Sequence, residues 1–198
     1  LVHSLRSVKS LSEDRALRGM LALVDASVRT NYYKYGGKVP NRRSGGVPYL
    51  SFKIAVRDRS DVARTNLLYE IWVQSSRMQG IHLRGARVAR GGIRYSDRPD
   101  DFRTEVLGLV NTQMVKNSVI VPAGSKGGFV TLHESADPSE MAEEAKEQYK
   151  TLIRGMLDVT DNIATDGSPL PPDTVVCWDG PDPYLVVAAD KGTSKYSD

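Results

Sequence analysis

Apolar residues recur at helical spacing over 12–30, where Leu17, Met20, Leu21, Val24 and Val28 fall on one face. That spacing predicts a helix, with Ser12 as its N-cap and Glu13 and Asp14 in the first turn. Residues 36–46, GGKVPNRRSGG, break the periodicity and predict an exposed, turn-rich connector. Apolar and polar residues then alternate over 49–57 and again over 69–75, which predicts two strands. Residues 80–90 read as a hairpin: Ile81 and Leu83 alternate, Gly85 turns the chain and Val88 continues it.

The clearest helical stripe follows. Asp97 and Asp100 are candidate caps, and Phe102, Val106, Leu109, Val110 and Met114 share one face of a helix over 100–117. Arg103, Glu105, Asn111 and Gln113 fall off that stripe. Residues 119–123 predict a short buried strand, and 124–128, GSKGG, a loop whose glycines permit close approach. A second long helix is predicted over 138–158, with Glu140, Glu143 and Glu144 early and Arg154 late, as the helix dipole favours. After a loop at 167–173, residues 174–178 and 184–190 read as two final strands, the second ending on Asp190. Strands and helices alternate in part, so the expected fold is α/β, a mixed β-sheet flanked by helices. Residues 1–48 would form an N-terminal helical segment and linker, and 49–198 the main domain.

Composition adds bounds. With 198 residues, 40% hydrophobic and 26% charged, the chain resembles an ordinary globular protein able to bury a core. The net charge of +3 is mild, so the distribution of charge matters more than its sum. The single Cys177 excludes an intramolecular disulfide and fits a reducing, cytoplasmic setting. It reads as a strand residue rather than a nucleophile. No apolar run reaches the length of about 18 residues that a membrane helix needs. The N-terminal stretch lacks the apolar core and cleavage site of a secretory signal. His3, His82 and His133 lack ligand spacing, so no metal is expected. The chain opens without Met and stops directly after a strand-like run, which reads as a piece of something longer.

Chemistry concentrates between Arg84 and Gly128. Arg90, Lys116 and Lys126 sit beside glycines or at element ends, as they would if a small carboxylate or phosphate approached the backbone. Gln113 lies one helical turn before Lys116, so both side chains can face the same side. If the three cations converge, repulsion favours a lysine that sheds its proton. A neutral lysine amine serves as a general base or a nucleophile towards a carbonyl. Asp190, at the end of an apolar strand, could accept or relay a proton beside it. GSKGG lacks the spacing of a nucleotide-binding Walker loop. Arg84, Arg87, Arg90, Arg94 and Arg98 also allow a basic, RNA-binding face, although only Tyr95 and Phe102 lie near enough to stack bases.

ARGGIR, QMVKNS, PAGSKGG and VVAAD, in that order and spacing, resemble the signature of the amino acid dehydrogenases, glutamate dehydrogenase in particular. The wording from Ala89 to Val110, with arginine before the glycine pair, is similar to the large NAD-specific bacterial glutamate dehydrogenases. The motif-bearing match covers roughly 80–196. The resemblance implies that Lys126 is the catalytic lysine and Asp190 the proton-shuttling aspartate. It assigns Lys116 and Gln113 to the substrate α-carboxylate, and Arg90, with Gly91 and Gly92 after it, to the side-chain carboxylate. A cation at 90 favours glutamate over leucine or phenylalanine, because a cation enclosed without a carboxylate partner is costly. Other implied features are NAD as cofactor, cytoplasmic location and a homo-oligomeric full-length enzyme. No G-x-G-x-x-G occurs in the 198 residues, so the expected cofactor domain is absent from them. The region would then be a substrate domain for glutamate, 2-oxoglutarate and ammonium, with no nucleic-acid or membrane partner.

Overall fold

The computed structural model describes residues 8–40, 47–56, 67–116, 123–133 and 135–190, the side chain of Lys116 excepted. Helix α1 spans Leu11–Ala26 and runs directly into strand β1, Ser27–Thr30. A short 3-10 helix, Tyr32–Tyr35, precedes β2 at Leu50–Ala55. Next come β3 (Tyr69–Gln74), β4 (Met78–Arg84) and β5 (Ala89–Tyr95). Helix α2, Phe102–Lys116, leads to β6 at Ala123–Thr131, and α3 spans Pro138–Asp158. Two short strands, β7 (Asn162–Ile163) and β8 (Pro169–Leu170), pair with each other, and β9 (Val176–Cys177) and β10 (Val186–Ala189) return to the main sheet.

That sheet has eight strands in the order β10-β5-β6-β4-β3-β2-β1-β9. One half is an antiparallel run from β1 to β4 and on to β6. In the other half β6, β5 and β10 run parallel, with α2 as the crossover between β5 and β6. The sheet is therefore mixed and flanked by helices, as expected. One face packs Ile71, Val73, Ile93 and Phe129 under Ala145, Tyr149, Leu152 and Met156 of α3. The other packs Ile81, Leu83 and Val130 under Phe102, Val106 and Val110 of α2. Gly128 lets α2 close on the sheet, since a Cβ there would stand 2.5 Å from a Val106 methyl carbon.

Several sequence expectations are corrected. The N-terminal helix ends at Ala26 rather than Thr30, because Ser27–Thr30 pairs with β2. Its cap is Ser10, whose hydroxyl accepts from the Glu13 amide. Its apolar residues do not form a buried stripe: Met20 and Val24 are 63% and 69% exposed, and α1 packs through Ala22 and Ala26. The supposed hairpin at 80–90 is not one. Strand β6 lies between β4 and β5, and the Gly85 amide donates to the Gly124 carbonyl instead of closing a tight turn. GSKGG is not a loop but the first half of β6, where neighbours on both sides supply the ladder that glycine's weak strand preference does not. The strand expected at 119–123 falls almost wholly outside the described residues, as does most of the 36–46 connector. The two final strands are real but shorter than expected.

A charged cluster lies inside the fold. Arg29, Lys53 and Arg84, from β1, β2 and β4, meet Asp161, Asp179 and Asp182 with almost no solvent exposure. Lys53 Nζ donates to Asp179 and Asp182 at 2.6 Å each, and its ammonium stands 4.1 Å from the Tyr69 ring centre. The Arg29 and Arg84 guanidiniums donate to Asp161 and Asp182, and the Asp182 amide donates back to Asp161 at 2.6 Å. These bonds hold the 159–184 segment against the sheet.

His82, next to Arg84 on the same face of β4, is buried with neither ring nitrogen hydrogen-bonded. Burial, and secondarily the Arg84 charge, push its pKa down from 6.5 to about 3. Between those values the unfolded chain binds a proton that the folded one refuses, so stability falls as pH drops from 6.5 towards 3. Urea unfolding between pH 6 and 4 should show the parent losing up to about 1.4 kcal/mol per pH unit more than His82→Gln. Parallel curves would show that the imidazole is protonated in the fold.

Candidate active site

The α2 face of β5 and β6 carries most of the residues singled out from the sequence. Even-numbered residues point to this face, since Gly128 meets Val106, Gly124 meets Gln113 and Arg94 pairs with Glu105 of α2. Lys126 is therefore directed there from mid-strand, with its backbone registered against Leu83 of β4. Asp190 directly follows β10, and its amide donates to the Ile93 carbonyl at 2.8 Å, which fixes it against β5. Lys126 Nζ donates to Asp190 Oδ2 at 2.7 Å, and the two side chains are 18% and 26% exposed.

Around this pair stand the other residues singled out from the sequence. Arg90 is the second residue of β5, exposed to solvent, registered between Gly124 of β6 and Val186 of β10. Gln113 extends from the last turns of α2, and its Nε2 donates to the Arg90 carbonyl at 3.3 Å. Its Oε1 is enclosed and accepts no hydrogen bond. Lys116 is the final residue of α2, and its side chain lies outside the described residues. Gly92 faces Asp190, whereas Gly91 faces the other way: a Cβ there would fall 1.5 Å from the Ser125 carbonyl oxygen. The fold thus brings Lys126, Asp190, Gly92, Arg90, Gln113 and the end of α2 to one neighbourhood. Lys126 meets the Asp190 carboxylate there.

The arrangement offers an amine and a carboxylate within proton-exchange distance, flanked by cationic and amide groups suited to an anion. The sequence did not single out Arg29, Lys53, Asp161, Asp179 or Asp182, and it offered Arg84 only as part of a basic face rather than of this buried set. The only local hint of the set is the proline-flanked run of aspartates in 178–183, WDGPDP. Cys177 sits partly buried in β9, where burial pushes its thiol pKa up and so disfavours the nucleophilic thiolate.

The family model described as bacterial NAD-glutamate dehydrogenase, catalytic domain, matches residues 1–198. The chain belongs to that family. It is 49% identical over 200 residues to the NAD-specific glutamate dehydrogenase of Pseudomonas aeruginosa, which covers all of this chain. The corresponding enzyme of Halomonas elongata is 50% identical over 98% of the chain, and that of Mycobacterium tuberculosis 48% over 96%. A more distant relative, glutamate dehydrogenase 2 of Dictyostelium discoideum, is 26% identical over 96% of it. The chain spans 12% of the length of each of the three bacterial relatives. No helix among the described residues is long and apolar enough to cross a membrane.

Proposed function

We propose that this region supplies the substrate-side chemistry of an NAD-dependent glutamate dehydrogenase, which interconverts L-glutamate with 2-oxoglutarate and ammonium. The Lys126–Asp190 pair, 2.7 Å apart beside the end of α2, carries that reading. In the hydrolytic half of the reaction, the Lys126 amine takes a proton from the water that attacks the imine carbon. Asp190 exchanges a proton with the substrate nitrogen. Lys116 and Gln113 hold the α-carboxylate, Gln113 through the N–H groups of its side-chain amide, whose Nε2 already reaches the Arg90 carbonyl. Arg90 receives the side-chain carboxylate, and Gly91 and Gly92 form the strand beside it. Residues 49–198 would be the glutamate-binding unit and 1–48 its N-terminal segment.

The described residues do not fit the dinucleotide. A pyrophosphate needs a glycine-rich turn opening onto a helix N-terminus. All three α-helices here begin among acidic residues instead: Glu13 and Asp14 in α1, Asp101 and Glu105 at α2, Asp137 and Glu140 at α3. NAD would therefore be held mainly by a domain outside these residues, and the steps above involve only this chain's own groups. The full-length enzyme is read as a cytoplasmic homo-oligomer acting on small molecules. An RNA-binding face is disfavoured, because Arg84 is buried in the ion cluster and Arg94 and Arg98 are paired with Glu105 and Asp101.

The test is NADH consumption with ammonium by a polypeptide that carries these residues and the nucleotide-binding region. Turnover with 2-oxoglutarate should exceed that with 4-methyl-2-oxopentanoate, and Arg90→Leu should erase the preference by roughly 100-fold, the size of a lost charged contact. A preference unmoved by Arg90→Leu would remove the substrate assignment.

A further inference from the structure

The glycine pair in β5 divides into two jobs, and the second is not one the substrate contacts explain. Gly92 is not required for an unusual backbone: the positive-φ glycines among the described residues are Gly36, Gly37 and Gly167. What Gly92 provides is space. A Cβ built on it would stand 2.8 Å from Asp190 Cβ, 2.9 Å from its Cγ and 3.2 Å from its Cα. The first two distances are well inside van der Waals contact, and the third involves main chain that cannot rotate away. Asp190 has little room to retreat, because its amide is bonded to the Ile93 carbonyl at 2.8 Å and the four residues before it are paired with β5.

We propose that Gly92 is a positioning residue, whose missing side chain lets the Asp190 carboxylate reach Lys126. Any side chain at 92 would push the end of β10 outward and open the 2.7 Å contact. Gly124 acts in parallel on the adjacent strand β6, where a Cβ would lie 3.0 Å from Gln113 Cγ and 3.1 Å from its Oε1. The two glycines set how closely the proton-carrying pair and the amide approach this face of the sheet. Gly91, by contrast, serves the scaffold, because no side chain there could coexist with the Ser125 carbonyl.

The proposal rests on the catalytic reading of Lys126 and Asp190, and its test separates the two. In the polypeptide that also carries the nucleotide-binding region, Gly92→Ala should lower kcat by about 10- to 100-fold, as an ångström-scale misplacement does. KM for 2-oxoglutarate should stay within about threefold, since Gly92 acts through Asp190 rather than on the substrate. Adding Gly92→Ala to Asp190→Ala should cost no further activity, because the group being positioned is already gone. Gly108→Ala, on the exposed side of α2 with open space beside it, is the unaffected control. A crystal structure of the Gly92→Ala form of this chain should show Lys126 and Asp190 separated beyond hydrogen-bond reach.

Wild-type kcat in Gly92→Ala, or losses that multiply in the double variant, would overturn the proposal. If Gly92→Ala fails to fold, Gly92→Ala with Asp190→Gly removes the two nearest clashing atoms and leaves only the Cα, at 3.2 Å. Recovered folding then supports the contact, and continued failure makes Gly92 a scaffold residue and overturns it. Full activity in Lys126→Ala would sink the catalytic reading alone, leaving the Lys126–Asp190 separation in the crystal to decide the positioning.

Discussion

Asp182→Ala is expected to destabilise the fold by about 3–5 kcal/mol in urea unfolding, a large part of what holds a domain of this size together. Asp182 is 5% exposed and accepts from Lys53 Nζ and the Arg84 guanidinium at once. Removing it leaves two buried cations short of a partner, with Arg84 held by the Tyr184 carbonyl. It also takes away one carboxylate of the set that pins 159–184 to the sheet, which is the segment leading into β10 and Asp190. The loss should therefore appear first as a loosened C-terminal segment. The control is Asp14→Ala, which breaks the exposed Asp14–Arg18 pair one helical turn apart and should leave the unfolding midpoint almost unchanged. Acid should mimic part of the effect. Burial works against the Asp161 and Asp182 carboxylates, but Arg29 for the first and Arg84 for the second hold their pKa values below the usual carboxylate range. Their contribution is complete above the unfolded value near 4 and is lost as pH falls through the lower folded values. Equal unfolding midpoints for Asp182→Ala and Asp14→Ala would show that the cluster contributes no stability.

The parts legible in the sequence are those specified locally. Helix α3 begins at Pro138 and ends at Asp158, the bounds expected of the acidic-then-basic segment, with Asp137 capping it and a buried face of Ala145, Tyr149, Leu152 and Met156. The stripe of Phe102, Val106 and Val110 in α2 is equally local. The misreadings share a physical cause, in that distant chain decides the outcome. Lys53 is one polar position in the alternating run over 49–57, and nothing local marks it as buried. It is fully buried because Asp179 and Asp182, more than a hundred positions on, come to meet it. GSKGG has loop composition, and becomes a central strand because β4 and β5 supply its ladder, while α2 leaves little room for a side chain at Gly124 or Gly128. Lys126 and Asp190 are 64 positions apart, joined only through the parallel pairing of β10, β5 and β6. No periodicity reports such a contact. The order of four motifs pointed to it through a family resemblance, and the steric role of Gly92 was outside the reach of either.

Lys126→Ala should lower kcat for reductive amination of 2-oxoglutarate by about 10²- to 10⁴-fold, the range for losing a positioned acid–base group. The measurement is NADH consumption by the folded, nucleotide-binding polypeptide. The informative companion is Lys126→Arg. Arginine retains the positive charge and can still pair with Asp190, but it does not give up its proton at working pH. If Lys126 acts as a proton carrier, arginine should be as damaging as alanine in kcat, while preserving more of the affinity for the dianionic substrate. If Lys126 is only a fixed cation, arginine should retain most of the turnover. Asp190→Asn completes the comparison, because the amide matches the carboxylate in shape and cannot exchange a proton. A loss in Asp190→Asn comparable to that in Lys126→Arg would tie both residues to proton movement. Activity surviving in Lys126→Arg at more than about a tenth of the parent would instead reduce the pair to an electrostatic anchor, since proton transfer by a positioned group is worth at least 10²-fold.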